Sequence, residues 1–442
     1  MISPLARAIP ALLGIAFPAI AETTPAAIEP TRHIRPTEFP PDWPILISQD
    51  ASNRLQAFAL ILLKQCISDY PGNLALSPLA AAESCVRLNL KTTGRTPAPL
   101  DFKHSPNAHS NGILHIRPYV TLVDYTCTAR LFVDEKFKLS DSYLNTLSKN
   151  RQPEEIVIRI PFETDPEKAV TIINRTISQE TKGRIPEALP EPALPTLASF
   201  IAVTAATFNT EWLHPFPAQK TTKKAFHPEN GNTRQVATMH IRALLPCDLS
   251  PEYTALELPY APAPRPDVSR IGTPPPRQTG SMIILMPPED MPLDSFIQTL
   301  TVDKLAAIRT NLLNVKKEYG GMPVDLSLPK FRMETHIDLT PALAAAGMTR
   351  QLSPHSIYAD LFDGQAPSHL SGIWQACTLT IAERGTGTSE ISLPETTEPD
   401  TAAGNLATTV PVEINRPFLW YIVPNEYHSR SPAIFIGVVR EP

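Results

Sequence analysis

Phe200-Ile-Ala-Val-Thr-Ala-Ala-Thr-Phe208-Asn-Thr-Glu-Trp212-Leu-His-Pro215-Phe216 is the stretch on which the fold turns. Phe200 to Phe208 has no charge and is built from apolar and β-branched residues. It reads as a strand buried on both faces. Downstream, Ala255–Leu258 and Ser281–Met286 read as paired strands, with a proline-rich surface insertion between them at 261–280. Leu300–Leu313 is helical in spacing, Val324–Phe331 reads as strand, Pro341–Ala346 as helix and Ile373–Ile381 as strand. Ser392–Thr409 is polar and proline-containing, hence exposed. Phe418–Val423 and Ala433–Val439 are two last apolar strands.

Upstream, Leu55, Phe58, Ala59, Leu62 and Leu63 recur at helical spacing within Leu46–Tyr70, and Pro71-Gly72-Asn73 ends that helix. Leu74-Ala75-Leu76 is a short strand. Ser77 suits an N-cap and Pro78 the first turn of a helix reaching Leu90. Thr121–Phe132 reads as strand, Ser140–Ser148 as helix, and Glu155–Ile160 alternates with period two. Pro166 opens a helix to Thr181 that Lys182-Gly183 stops. Isolated helices among many strands, without strict alternation, indicate an α+β fold.

Composition agrees with a buried core. Of 442 residues, 42% are hydrophobic and 19% charged, and 39 basic against 44 acidic residues give a net charge of −5. That balance excludes a generally basic nucleic-acid binder and a disordered polyelectrolyte. Proline is the outlier at 49 residues, against a usual share of about 5%, and must collect in loops and tails.

Residues 1–21 read as a secretory signal peptide: Arg7, an apolar run from Ala8 to Ile20, then Ala19-Ile20-Ala21 with cleavage before Glu22. The expected location is therefore exported, periplasmic or extracellular. Residues 22–44 form a Pro-rich extended tail and 45–442 the folded domain. No later segment is long and apolar enough to span a bilayer, so no membrane partner is expected. The five cysteines, Cys66, Cys85, Cys127, Cys247 and Cys377, show no CxxC and read as buried thiols, with one disulfide left open.

No catalytic motif is present. There is no GxSxG, HExxH or P-loop. Gly385-Thr386-Gly387 lacks a dinucleotide context. His104, His109 and His115 are spaced by five and six, which fits no helix face and no metal motif. Neither an enzyme nor a metal or cofactor site is expected.

Several segments together resemble the serpin family. They are Asn73-Leu-Ala-Leu-Ser77-Pro78-Leu, Ala129-Arg-Leu131-Phe132-Val133, Ile173-Asn174 with Thr181-Lys-Gly183-Arg-Ile185, and Phe208 to Phe216. They continue with Met239-His240, Leu256-Glu-Leu258-Pro259-Tyr260, Ser281 to Pro287, Leu328-Pro329-Lys330-Phe331, and Leu343 to Met348. Asn415-Arg-Pro417-Phe418-Leu419 and Ile434-Phe-Ile-Gly437 end the series. Their order is the family's order over roughly residues 46–442.

The resemblance implies a single α+β domain with a large central mixed sheet, surrounding helices and an exposed reactive-centre loop. It implies a suicide inhibitor of serine proteases that traps the acyl-enzyme when the loop inserts as a new central strand. The loop with its hinge covers 383–414, and the hinge itself is Glu383, Arg384, Gly385, Thr386, Gly387, Thr388, Ser389 and Glu390. Alternation puts Thr386, Thr388, Glu390, Ser392 and Pro394 on the face that turns inward on insertion, where Glu390 is out of character. Counting from Glu383 puts the scissile bond at Pro399-Asp400; counting back from Pro417-Phe418 puts it at Leu406-Ala407. Leu406 is the better bait because its apolar side chain fills a specificity pocket, and the discrepancy marks a lengthened loop. In the sheet-opening region Ser77 is retained, whereas Thr204 and Gln375 stand where relatives usually carry Asn and His. The implied partner is a serine protease of chymotrypsin-like or elastase-like specificity, met by a monomer. The alternative is a non-inhibitory member whose loop is a substrate or which acts as a binding module.

Overall fold

Phe200–Glu211 is a strand three residues longer than its uncharged segment, and neighbours bond it along both edges. The computed structural model describes residues 49–88, 124–148, 157–190, 198, 200–229, 231–262, 280–348, 352, 361–364, 370–387, 408–423 and 431–442. The candidate signal, the Pro-rich tail and most of the 261–280 insertion therefore lie outside the described residues, as do His104, His109 and His115.

The chain enters on α1 (Gln49–Asp69), crosses β1 (Leu74–Leu76) and runs into α2 (Pro78–Arg87). Next come β2 (Asp124–Asp134), β3 (Lys138–Leu139), α3 (Asp141–Ser148), β4 (Val157–Ile160) and α4 (Pro166–Glu180). A run of strands follows: β5 (Phe200–Glu211), β6 (Thr222–Phe226), β7 (Arg234–Leu245), β8 (Cys247–Ser250), β9 (Tyr253–Pro259) and β10 (Ser281–Met286). α5 (Leu293–Thr299) and α6 (Val302–Tyr319) precede β11 (Met322–Pro329), β12 (Phe331–Asp338) and the single turn α7 (Thr340–Leu343). β13 (Phe362–Asp363), β14 (Gly372–Ala382), β15 (Gly385–Gly387), β16 (Val410–Glu413), β17 (Phe418–Val423) and β18 (Phe435–Val439) complete the order.

The central sheet runs β12-β14-β15-β5-β2-β4 and mixes parallel with antiparallel pairs. A second six-stranded sheet runs β1-β18-β17-β10-β9-β8, and a four-stranded one β16-β11-β7-β6. α4 lies on one face of the central sheet. Its Ala169, Ile173 and Ile177 bury against Phe132, Ile201, Val203 and Ala205, each large apolar side chain contributing roughly 1.5–3 kcal/mol. Asp165 caps that helix by accepting from the Lys168 N–H at 2.9 Å, with Pro166 in its first turn. The helix ends at Thr181, followed by Lys182 and Gly183 at φ of 55° and 76°, the left-handed turn that glycine favours.

Two segments depart from what the periodicity predicts. Thr301 caps α6 by accepting from the Lys304 N–H at 3.1 Å, so the helix expected over Leu300–Leu313 starts at Val302 and runs on to Tyr319, and α5 before it was not predicted. Val324–Phe331 belongs to two strands that meet at Lys330. Among the described residues, which include all five cysteines, there is no disulfide; four of the five are buried and Cys127 is partly so. No described helix is long and apolar enough to cross a membrane.

Candidate functional site

β5 and β14 pair in parallel from Gly372↔Ile201 to Thr378↔Thr207. Beyond that point they diverge, and β15 fills the mouth between them. It is antiparallel to both, with Thr386 opposite Ile381 on one side and Thr210 on the other. The chain leaves β14, turns at Glu383-Arg384, and seats its next three residues in the sheet. Gly385, Thr386 and Gly387 are all buried. Three of the eight residues of the sequence-derived hinge, Gly385–Gly387, are therefore already a strand of the central sheet; Thr388, Ser389 and Glu390 lie outside the described residues.

Gly385 is required by close approach. A Cβ there would sit 2.0 Å from the Thr210 carbonyl oxygen and 2.8 Å from the Glu211 Cα, which only a shift of backbone relieves. Thr386 points into the core, where its hydroxyl lies 2.9 Å from that of Tyr260. Tyr260 stacks on Trp212 with ring centroids 4.8 Å apart and planes 7° from parallel. Burial pushes the Tyr260 phenol far above its ordinary range, against the smaller opposing effect of the Thr386 hydrogen bond, so it stays a neutral hydroxyl.

The segment that opened the reading now has a role. The Trp212 indole N–H donates to the Ala382 carbonyl at 2.9 Å, and the Trp212 amide to the Arg384 carbonyl at 2.8 Å. The Phe216 amide donates to the Glu383 carbonyl at 2.8 Å. Three donors from Trp212–Phe216 thus hold the hinge turn. Its side chains are held too: the Thr221 hydroxyl donates to Glu383 at 2.8 Å, Lys330 pairs with Glu383 at 3.0 Å, and Arg384 reaches Glu211 at 3.3 Å. Burial opposes ionisation of Glu383. Hydrogen bonds from its own backbone, Thr221 and Lys330, with the Lys330 charge, outweigh it and hold the carboxyl below its ordinary range.

Below the wedge, the sequence-derived sheet-opening residues meet. Thr204 and Gln375 are register partners on β5 and β14. The Gln375 carboxamide accepts from the Ser77 amide and donates to the Ser77 carbonyl, both at 2.9 Å. It also approaches the Thr204 hydroxyl at 3.5 Å, and that hydroxyl donates to the Trp374 carbonyl at 3.1 Å. The Ser77 hydroxyl donates to the Ile434 carbonyl at 3.0 Å and lies 3.1 Å from the Tyr125 hydroxyl. Ser77, Thr204 and Gln375 are fully buried. Glutamine and threonine thus supply a polar bridge across the paired strands β5 and β14 at the positions where the resemblance led one to expect His and Asn.

On the far side of the loop, β16 pairs in parallel with β11, placing Glu413 opposite Ser327. Lys224 ties this end by donating to the Ser327 hydroxyl at 2.9 Å and to Glu413 at 3.0 Å. Between Gly387 and the next described residue, at 408, lie 408 − 387 − 1 = 20 residues. Leu406, Ala407, Pro399 and Asp400 all fall there, outside the described residues. Trp212, Tyr260 and Lys330, read from the sequence only as members of the family-like segments and not as site residues, complete the site with Thr221, which the sequence reading did not name. The aromatic pair had a signal, in large rings standing just past strand ends; Thr221 had none.

The model of the family described as Serpin (serine protease inhibitor) matches residues 53–442. The bovine (Bos taurus) plasminogen activator inhibitor 1 is 27% identical over 386 residues, covering 84% of this chain and 87% of that protein. The leukocyte elastase inhibitor of Xenopus tropicalis is 24% identical over 387 residues, covering 84% and 93%. Among solved structures, the mouse protein-Z dependent protease inhibitor superposes with a TM-score of 0.68 at 20% identity, covering 89% of this chain and 98% of the other.

Proposed function

Because this chain belongs to the serpin family, we propose that it is an exported, monomeric suicide inhibitor of a serine protease with chymotrypsin-like or elastase-like preference. The observation that carries the reading is the wedge of Gly385–Gly387 between β5 and β14. A seam already entered at its mouth needs only to be propagated.

In this reading the protease serine attacks the Leu406 carbonyl, and the bond to Ala407 breaks as the acyl-enzyme forms. Ala407 and the chain beyond remain on the body through β16. The segment carrying the acyl group continues β15 downward. Each added residue bonds to β14 on one side and β5 on the other, replacing their direct ladder. The pairing fixes how far this goes. Thr386 lies opposite Ile381, so the place opposite Gly372, at the end of β14, belongs to residue 386 + 381 − 372 = 395. Residues 396–406 are then left as a tether to the protease of up to roughly 36 Å when extended. Trapping depends on insertion outrunning deacylation, so that tether weakens the pull on the captured enzyme.

The test is incubation of the intact chain with chymotrypsin and elastase, followed by denaturing electrophoresis and mass mapping of the cut. The expected result is an SDS-stable complex, cleavage after Leu406, and a rise in the melting temperature of the cleaved chain. Cleavage without complex and without that rise, across a broad protease panel, assigns the chain to the non-inhibitory alternative.

A further inference from the structure

The central sheet is made of two leaves. β12 pairs with β14 from Phe331↔Ile381 to Asp338↔Trp374. β5 pairs with β2 from Asn209↔Asp124 to Phe200↔Val133, and β4 follows β2. The leaves β12-β14 and β5-β2-β4 meet only along the ladder from Gly372↔Ile201 to Thr378↔Thr207, with β15 at its mouth. On the inhibitor reading proposed above, on which this inference rests, that ladder is the seam that parts.

Ser77 belongs to neither leaf. It stands at the turn from β1 into α2 and is fully buried, yet it is bonded to both. The first leaf holds its backbone: the Gln375 carboxamide accepts from the Ser77 amide and donates to the Ser77 carbonyl, both at 2.9 Å. Two residues earlier, the Ala75 amide donates to the Thr335 hydroxyl of β12 at 2.9 Å. The second leaf is joined through one hydroxyl, that of Tyr125 on β2, 3.1 Å from the Ser77 hydroxyl. Ser77 gives its single proton to the Ile434 carbonyl at 3.0 Å, so Tyr125 is the donor of the pair.

The Tyr125 ring is positioned from two sides. It lies opposite Phe208 in the β2–β5 register and meets Phe435 edge-on, with ring centroids 5.7 Å apart. Burial pushes the phenol far above its ordinary range; Cys127 adds to that shift and the Ser77 hydrogen bond opposes it, so the group is a neutral donor.

Admitting a strand into the seam separates the leaves by one strand spacing, about 4.7–4.9 Å. A hydrogen bond fails over a much shorter distance. Ser77 cannot then keep both leaves. The three bonds from β1 and Ser77 to Gln375 and Thr335 outlast the single contact to Tyr125.

We propose that Tyr125 is a positioning residue for loop insertion: its hydroxyl latches β2 and β5 to Ser77 in the closed sheet, and it is the contact that lets go as the seam opens. A bond present in the closed sheet and absent from the open one biases that equilibrium toward closure, by about fivefold for one neutral hydrogen bond.

The test is Tyr125→Phe, which keeps the ring against Phe435 and removes only the hydroxyl. Native-state amide exchange of the uncleaved chain, with no protease present, reads the seam directly. Amides bonding β5 to β14 are expected to exchange about fivefold faster, while those bonding β5 to β2 keep their parental rates. The uncleaved variant melts about 1–2 °C lower, and the cleaved, inserted variant melts with the cleaved parent, because the bond is already gone there. In a Ser77→Ala background Tyr125→Phe adds nothing to seam exchange. Parental exchange at the seam, equal acceleration of both sets of amides, an equal fall of Tm in cleaved and uncleaved chains, or additive effects with Ser77→Ala overturns the latch. If the cleaved parent gains no Tm, the inhibitor reading fails, and the exchange of the uncleaved chain still decides whether Tyr125 holds the seam.

Discussion

The Thr386 and Tyr260 hydroxyls meet at 2.9 Å in the interior of the protein, where Thr386 has no exposed surface. The loop hinge is thereby read by the core one residue after its glycine. Any side chain at 386 must fit against a phenol that is itself stacked on Trp212.

Two substitutions at this position separate shape from charge. Thr386→Val keeps the volume and strands the Tyr260 hydroxyl, at a cost of about 1–3 kcal/mol. It should lower the melting temperature yet leave complex formation intact. Thr386→Arg cannot be seated in a fully buried site without a partner. It should expel β15 from the sheet, turning the chain into a protease substrate. Denaturing gels of complex against cleaved chain read the difference, and a Thr386→Arg protein that still forms complex at the parental ratio would contradict the wedge.

Gly385→Ala tests the same wedge through backbone. Its Cβ meets the Thr210 carbonyl oxygen at 2.0 Å, and the far side is backbone, not a side chain that can swing away. The expected outcome is loss of amide-exchange protection over 385–387 while β5 and β14 stay protected below Thr207 and Thr378. Unchanged protection of 385–387 would show that the strand accommodates the methyl.

How much of this was legible in the sequence depends on which faces a segment buries. β5, β10, β17 and β18 are apolar on both sides, and composition alone marks them. β7 is different: it alternates exposed Arg242 and Leu244 with buried Ala243 and Leu245, and begins on exposed Arg234 and Gln235. Its polar start conceals the period, so it went unread. β6 carries three charged or polar residues in its first three positions, and β16 holds Pro411 in four residues; both are edge strands, where such residues are tolerated. Within the site, Ser77 declares itself as a helix cap. The convergence of Ser77, Thr204 and Gln375, nearly 300 residues apart in the chain at its widest, is carried only by family resemblance, since no local pattern encodes a non-local contact.

The Glu383 latch should be sensitive to acid. Its folded carboxyl is more acidic than in the unfolded chain. Its contribution is therefore complete above the unfolded carboxylate pKa and is lost as pH falls through the lower folded pKa. Melting temperature measured from neutral to acidic pH should show an acid-side loss that is smaller in Glu383→Gln and in Lys330→Met. At neutral pH both variants should instead loosen the hinge turn, seen as faster exchange at 383–387. Parental acid sensitivity in both variants would place the titrating group elsewhere.

The tether left after insertion gives a prediction of length. If the strand fills to residue 395 and cleavage falls after 406, removal of 396–402 takes away seven residues and roughly 23 Å of slack. The shortened chain should divert more of each encounter into complex and less into cleaved product, read as a lower stoichiometry of inhibition. A construction that removes the same number of residues from the 261–280 insertion controls for length as such and should leave the stoichiometry unchanged.

Glu390 sets the sharpest constraint on the inserted state. Continuing the pairing of β15 puts the place opposite Cys377 on β14 and Ala206 on β5 at residue 390, since 386 + 381 − 377 = 390 and 386 + 210 − 206 = 390. Both neighbours have no exposed surface, and they share the core-facing side of the sheet with Thr386, Gln375 and Thr204. A carboxylate arriving there must lose its proton-free form or find a cation, and an unpaired buried charge costs several kcal/mol. That cost falls on the fourth residue beyond Thr386, before the strand reaches the Gln375 bridge, so it slows the step on which trapping depends. Glu390→Ala should raise the ratio of SDS-stable complex to cleaved product by a factor of ten or more, at about 1.4 kcal/mol per factor of ten, and should raise the melting temperature of the cleaved chain above that of the cleaved parent. Glu390→Gln keeps the shape without the charge and should recover part of the gain. If neither variant changes the partition, residue 390 does not enter the sheet before deacylation, and the trap closes, if at all, on the first few residues of the hinge.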